Sequence, residues 1–182
     1  HSMSADAPTQ EAVILDAQRI ERCIQRIARQ ILEDHHAAPL IAIAAIDGQG
    51  TVMARRIVDA LEAISENAVS GFTVSLDKDA PLDHPITVTD RHGSDFAAES
   101  LDGATIIVVD DVLNSGRTLL HAVAHLLPFR PRHIAMCVLV DRIHRRFPVR
   151  ADYVGMSLST NLKAHIDVRL SGPGPDVAVL MA

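Results

Sequence analysis

Asp110 and Asp111 stand side by side and are followed, after Val112 and Leu113, by Asn114-Ser115-Gly116-Arg117-Thr118. This order suits an anion site set beside a diol site. Backbone N–H groups at a helix start and the positive end of that helix converge on one point, and a glycine there lets a phosphate come close. The hydroxyls of Ser115 and Thr118 add hydrogen bonds to the same anion. The paired carboxylates just ahead can hold vicinal hydroxyls or a hydrated Mg²⁺. One phosphate beside one diol describes a ribose 5-phosphate. The competing reading is a sheet-end turn whose acids merely face water. A receiver domain also pairs acidic residues, but after its first strand, whereas these lie well past the middle of the chain. Asp47-Gly48-Gln49-Gly50 is a second and weaker cradle of the same kind, since glycines also make ordinary turns.

The elements that must position these groups follow from the apolar pattern. Ile106-Ile107-Val108-Val109 is an unbroken β-branched run, which predicts a strand buried on both faces of a parallel sheet, with the acids at its end and a helix from Thr118 to about Leu127. Leu40 to Ile46 repeats that run, followed by a helix from Thr51 to about Ala63. His133 to Val140 is a third buried strand, and Gly71 to Leu76 alternates enough for a fourth. Ahead of them, Asp16 can cap a helix whose apolar face is Ile20, Cys23, Ile24, Ile27 and Ile31. The arginines of its other face, Arg19, Arg22, Arg26 and Arg29, are read as solvated. Ile166-Val168-Leu170 and Val177-Val179-Met181 alternate around a Gly-Pro turn and predict a terminal hairpin. The stretch from Asp77 to Asp102 is long and weakly patterned, which points to a lid or to disorder. Ser4 to Ala12 reads as loose, and His1-Ser2-Met3 as an expression scar.

Composition narrows the class. The 182 residues, 48% of them hydrophobic, suit one globular domain over residues 4–182. A formal charge of -6 speaks against a strongly basic nucleic-acid binder, and aromatics at 3% against a base-stacking platform. No apolar run reaches bilayer length, and no signal segment is visible, so no membrane is expected. Cys23 and Cys137 sit inside apolar patterns and read as free thiols of a reducing compartment. His121 and His125 are a helix-surface pair without a third metal ligand.

The run from Ile106 to Thr118, with its Asp-Asp and Ser-Gly-Arg-Thr, resembles the 5-phosphoribosyl pyrophosphate (PRPP) loop of type I phosphoribosyltransferases. Val140-Asp141-Arg142, His144 and Pro148 to Tyr153 narrow this to a resemblance with the pyrimidine operon attenuation regulators, which also have uracil phosphoribosyltransferase activity. The resemblance runs from about Val13 to Leu180. It implies an α/β fold with a mainly parallel central sheet of about five strands, flanked by helices, and a small flexible hood over residues 77–103. It also implies transfer of ribose 5-phosphate from PRPP to uracil, giving UMP and pyrophosphate in the cytoplasm, with Mg²⁺ as cofactor and a homo-oligomer as the working form.

By that resemblance Asp110 and Asp111 are the catalytic acids, Asp110 also reaching the metal through water. Asn114, Ser115, Gly116, Arg117 and Thr118 hold the 5′-phosphate, and Asp47, Gly48, Gln49, Gly50 and Arg142 line the pyrophosphate side. Arg150, with backbone near Tyr153 and Val154, reads the base, since uracil offers two carbonyl acceptors and one N–H donor on its edge. Lys78 and Asp79 belong to the hood. Three departures stand out. The family's Lys-Thr-Arg-Gly turn is here Asp47 to Gly50, its acid-rich metal turn keeps only Asp176, and Ile143 replaces a glycine. UMP is therefore expected to bind well, PRPP weakly, and turnover to be slow. The alternative reading is an RNA-binding regulator that uses the pocket only to sense UMP or PRPP; a third is transfer to another base.

Overall fold

The computed structural model describes residues 10–182; the residues read as an expression scar, and most of the stretch read as loose, lie outside that range. The elements are β1 (Glu11–Leu15), α1 (Ala17–His35), β2 (Ile41–Ile46), α2 (Gln49–Ile64), β3 (Val69–Ser75), β4 (Thr87–Asp90), β5 (Thr105–Leu113), α3 (Arg117–Leu126), β6 (His133–Asp141), β7 (Tyr153–Ser157), β8 (His165–Arg169) and β9 (Val177–Met181). Six strands form the main sheet in the order β4-β3-β2-β5-β6-β7. All pair in parallel except β4, which runs antiparallel to β3 at the edge. The mainly parallel α/β architecture is thus present.

Alternation in the central strands builds a core on each face. Ile41, Ile43, Ala45, Ile107, Val109, Ala135, Cys137 and Leu139 pack against the apolar stripes of α1 and α2. Ala42, Ala44, Ile46, Ile106, Val108 and Val138 pack on the other face with Leu119, Ala122 and Leu126 of α3. Because side chains alternate along a strand, a sheet covered on both faces needs apolar residues at every position, which is why these strands read as continuous runs. Each Ile or Leu so buried stabilises the fold by roughly 1.5–3 kcal/mol. The first helix begins as its sequence predicts: the Asp16 carboxylate accepts from the Arg19 N–H at 2.8 Å, and Ile20, Cys23, Ile24, Ile27 and Ile31 are buried.

Two features differ from the sequence reading. Glu11 and Ala12, the last two residues of the stretch read as loose, belong to β1, which pairs antiparallel with β9 and makes the predicted β8–β9 hairpin a three-stranded sheet. Its partner is at the far end of the chain, so local pattern does not reveal it. The hood is also more ordered than its composition suggests. Its strand β4 pairs with β3, a short 3₁₀ turn covers Ala98–Leu101, and Phe96 stacks on Phe72 with ring centroids 4.8 Å apart.

Candidate active site

The acids arrive on β5. That strand runs through both of them to Leu113, rather than ending before them, and α3 begins at Arg117, one residue earlier than its pattern indicates. Between the two, Gly116 adopts φ +90° and gives no side-chain cap; the Arg117 N–H donates to Ser115 Oγ at 3.3 Å, and the next amides, of Thr118 and Leu119, are left for an anion. The glycine is required twice over. Its φ lies where side chains are disfavoured, and a Cβ would collide with the Val149 side chain. The loop is carried from beneath, because the Ser115 carbonyl accepts from the N–H groups of Arg146 (3.0 Å) and Phe147 (3.1 Å). Lys78, Asn114, Ser115, Arg117, Thr118, Arg146 and Phe147 line an adjoining cavity of about 390 Å³.

Asp110 is 4% exposed and Asp111 half-buried. Burial, and next the neighbouring Asp111 carboxylate, push the Asp110 carboxyl up to about 8, with the Lys78 ammonium pulling it down. The Lys78 Nζ is 3.7 Å from Asp110 Oδ1, so the hood lysine reaches the buried acid. The start of α2 presses on the same point. A Cβ at Gly50 would lie 3.0 Å from the Val109 carbonyl oxygen and 3.5 Å from Asp110 Oδ1, so this second glycine turn sits against the first.

On the side assigned to pyrophosphate, the side chains are already engaged. Asp47 accepts from the Gly48 N–H (2.9 Å) and the Ser75 hydroxyl (3.3 Å). The Gln49 side-chain oxygen accepts from the Leu170 N–H at 2.9 Å. Asp176 pairs with Arg56 at 2.5 Å and accepts from the Ser171 N–H at 3.1 Å. The two departures at Gln49 and Asp176 therefore meet in space: each ties α2 to the β8–β9 hairpin.

Arg142 is a junction. Its guanidinium donates to Thr160 Oγ1 (3.0 Å), Asn114 Oδ1 (3.0 Å) and the carbonyls of Asn161 (3.2 Å) and Ala164 (2.7 Å). It joins the loop of the 5′-phosphate to the segment that follows β7, and it gives Asn114 a linking contact. Sequence reasoning missed Thr160, Asn161 and Ala164, and only the burial of a threonine in a polar stretch could have flagged them. Arg145 is committed to Asp141 through two bonds of 2.9 and 2.8 Å and to the Val149 carbonyl at 2.9 Å. Ile143, which stands where the family pattern has glycine, has φ 72°. A β-branched residue is strained in that region, and the glycine of the pattern would relieve it.

Arg150, Tyr153 and Val154, expected at the base, do not line the cavities beside Asn114 to Thr118. The Arg150 side chain is 87% exposed, with Nε 3.8 Å from Asp152 Oδ1. Tyr153 is buried on the α1 side of β7, where its hydroxyl donates to Asp34 Oδ2 at 2.6 Å. With His35 and His133 it lines a cavity of about 450 Å³ at the amino ends of β5 and β6. The Val154 carbonyl accepts from Arg26 Nη1 at 3.1 Å, and Gly155 from Nη2 at 2.8 Å, so that arginine is not simply solvated. Parallel pairing sets Val154 level with Asp110 through Val138, and Ser157 level with Leu113 through Asp141.

With this geometry in place, resemblance to known proteins can be weighed. The family model described as Phosphoribosyl transferase domain matches residues 11–171. The bifunctional protein PyrR of Streptomyces coelicolor is 36% identical over 173 residues, covering 93% of this chain and 89% of that protein. The bifunctional protein PyrR of Bacillus pumilus is 37% identical, covering 89% and 92%. Among solved structures, the hypoxanthine phosphoribosyltransferase of Trypanosoma cruzi superposes with a TM-score of 0.71 at 19% identity, over 92% and 94% of the two chains. A hypoxanthine-guanine phosphoribosyltransferase from Bacillus anthracis gives 0.65 at 21%, over 84% of each. The last two are likenesses of fold.

Proposed function

The chain belongs to the phosphoribosyl transferase domain family, and from that premise we propose that it transfers ribose 5-phosphate from PRPP to uracil, forming UMP and releasing pyrophosphate. The observation that carries this reading is the cradle itself: a left-handed Gly116 against Val149 at a helix start without a side-chain N-cap, and a buried Asp110 beside Asp111. The amides and hydroxyls of Ser115 to Thr118 take the 5′-phosphate. Asp110 and Asp111 take the ribose hydroxyls, burial and the neighbouring Asp111 carboxylate favouring the protonated form of Asp110. As the bond from C1 to pyrophosphate lengthens, positive charge grows on the ribose, and the Asp111 carboxylate stabilises it. Positioning supplies the rest.

The donor set suits Mg²⁺ brought in on pyrophosphate rather than a resident ion. No group of three His, Cys, Asp or Glu among the described residues is placed to cage a metal, whereas Mg²⁺ keeps several waters and needs only one or two carboxylates besides phosphate. Asp110, through water, and Asp111 would hold it, and it would neutralise charge on the leaving group. The base is assigned to the carboxyl edge, against Asp141 and the segment 158–164 that Arg142 orders, in place of the exposed Arg150. No helix among the described residues is long and apolar enough to cross a membrane. With two buried free thiols, the cytoplasm is the proposed setting, and a homo-oligomer the proposed form. Incubating the protein with PRPP, Mg²⁺ and each nucleobase in turn tests the assignment. Pyrophosphate release with uracil alone is expected, and release with another base, or with none, contradicts it.

A second reading, a UMP-responsive RNA-binding regulator with little turnover, is favoured by one observation. Gln49 and Asp176 are tied into the hairpin contacts, and sensing UMP needs no pyrophosphate site. A salt-dependent shift of pyrimidine-leader RNA, absent with unrelated RNA, supports this role; equal shifts of both RNAs, or none, argue against it.

A further inference from the structure

Arg117 belongs to the cradle by sequence, yet its guanidinium is engaged outside it. Nη2 donates to the carbonyl oxygens of Lys78 at 2.8 Å and Asp79 at 3.2 Å. Those carbonyls open the hood. There Asp77 closes a tight turn by accepting from the N–H groups of Asp79 (3.0 Å) and Ala80 (3.1 Å). The same turn holds the Lys78 ammonium 3.7 Å from Asp110. Among the described residues the Arg117 guanidinium has no carboxylate partner, so these two carbonyls are what its charge serves.

We propose that Arg117 is a positioning residue that latches the hood to the phosphate loop, so that seating a 5′-phosphate and bringing Lys78 over Asp110 become one event. This rests on the transferase reading of the site. One residue faces both ways: its main chain lies in the first turn of α3, where the anion binds, and its side chain grips the hood. A charged donor on a carbonyl is a strong hydrogen bond, and one guanidinium nitrogen shared by two successive carbonyls holds both ends of the Lys78–Asp79 step. Because the acceptors are backbone atoms, the latch is indifferent to the hood's side chains. That indifference accounts for a hood that reads Asp77-Lys78-Asp79-Ala80 and still closes. The latch also brings the Lys78 cation to the acids, where the turn at Asp47 to Gly50 offers none.

Amide hydrogen exchange across residues 77–90, with and without UMP, tests the latch in wild type, Arg117→Met and Arg117→Lys, alongside kcat and KM for PRPP. In Arg117→Met, exchange at Asp79 and Ala80 is expected to speed up about tenfold or more. UMP affinity is expected to change by less than about threefold, because amides hold the phosphate, and kcat to fall about tenfold with KM for PRPP moving less. Arg117→Lys, which can still reach a carbonyl, should recover part of both losses. Unchanged protection in Arg117→Met overturns the latch. So does a tenfold loss of UMP affinity with the hood still protected, which would make the guanidinium a direct phosphate ligand. Should wild type turn over no base at all, the transferase reading fails, while the exchange data still decide whether Arg117 holds the hood.

Discussion

At the scale of residues, the cradle depends on groups whose replacement has a calculable sign. Gly116→Val must force a side chain into Val149 at φ +90°, and Thr118→Ala removes a hydroxyl proposed to bind the shared phosphate. Each should weaken UMP and PRPP alike, the alanine by about 1.5–3 kcal/mol, or roughly tenfold to a hundredfold; calorimetric titration that leaves both ligands unaffected in both variants would remove the assignment. Asp111→Asn should keep a melting temperature near wild type and slow turnover, because charge is lost beside the developing cation. Asp110 gives a pH test. Its carboxyl is raised to about 8 in the fold against about 3.9 in an unfolded chain. Between those values the unfolded state has released a proton that the folded state keeps, so this group makes stability fall as pH rises through the window. Asp110→Asn should therefore gain melting temperature relative to wild type at about pH 8.5 compared with about pH 4.5; the reverse trend would show that the acid is not held protonated. Ile143→Gly, which relieves a β-branched residue at φ 72°, should stabilise by ~1 kcal/mol in thermal melts.

At the scale of elements, what was legible in the sequence follows the reach of each interaction. The continuous runs in β2, β5 and β6, the Asp16 cap and the apolar stripe of α1 are local patterns, and each predicted its element. The glycine at 116 was legible for the same reason, since a strand, a turn and a helix start share one short stretch. Contacts between distant segments were not. The pairing of β1 with β9 joins the two ends of the described chain, and Gln49 reaches Leu170 from a turn that, by motif alone, should face pyrophosphate. The partner of Tyr153, Asp34 on α1, is likewise distant in sequence and left no local signal. These long contacts change how the pyrophosphate turn can be re-engineered. Asp47→Lys restores a cation and gives up only two bonds within or beside the turn. Gln49→Arg also deprives the Leu170 N–H of its acceptor, at a cost of roughly 1–3 kcal/mol. Asp47→Lys alone should thus tighten PRPP binding with little loss of stability, whereas the double variant should lower the melting temperature. Equal melting temperatures for the two would mean that the Gln49 bond contributes nothing.

At the scale of the molecule, one sheet edge gathers both glycine turns, the paired acids, the hood and the segment after β7, while the helices on either face hold that edge rigid. The site so formed is uneven. The half proposed for the 5′-phosphate follows the family pattern, and the half proposed for pyrophosphate is part of the framework, through Asp47 on Ser75, Gln49 on Leu170 and Asp176 on Arg56. The low aromatic content and the acidic total speak against a base-stacking platform from composition alone, but this unevenness is visible only in the placed side chains. It predicts a protein that binds its product better than its donor. The most direct measurement is a paired calorimetric titration of wild type with UMP and with PRPP, both with Mg²⁺. The account predicts that UMP binds at least about tenfold more tightly, a gap of roughly 1.4 kcal/mol, as expected when a polyanion lacks a charge-assisted partner. Equal or tighter binding of PRPP would contradict it, and would show that other cations, Lys78 foremost, serve the pyrophosphate in place of the missing ones.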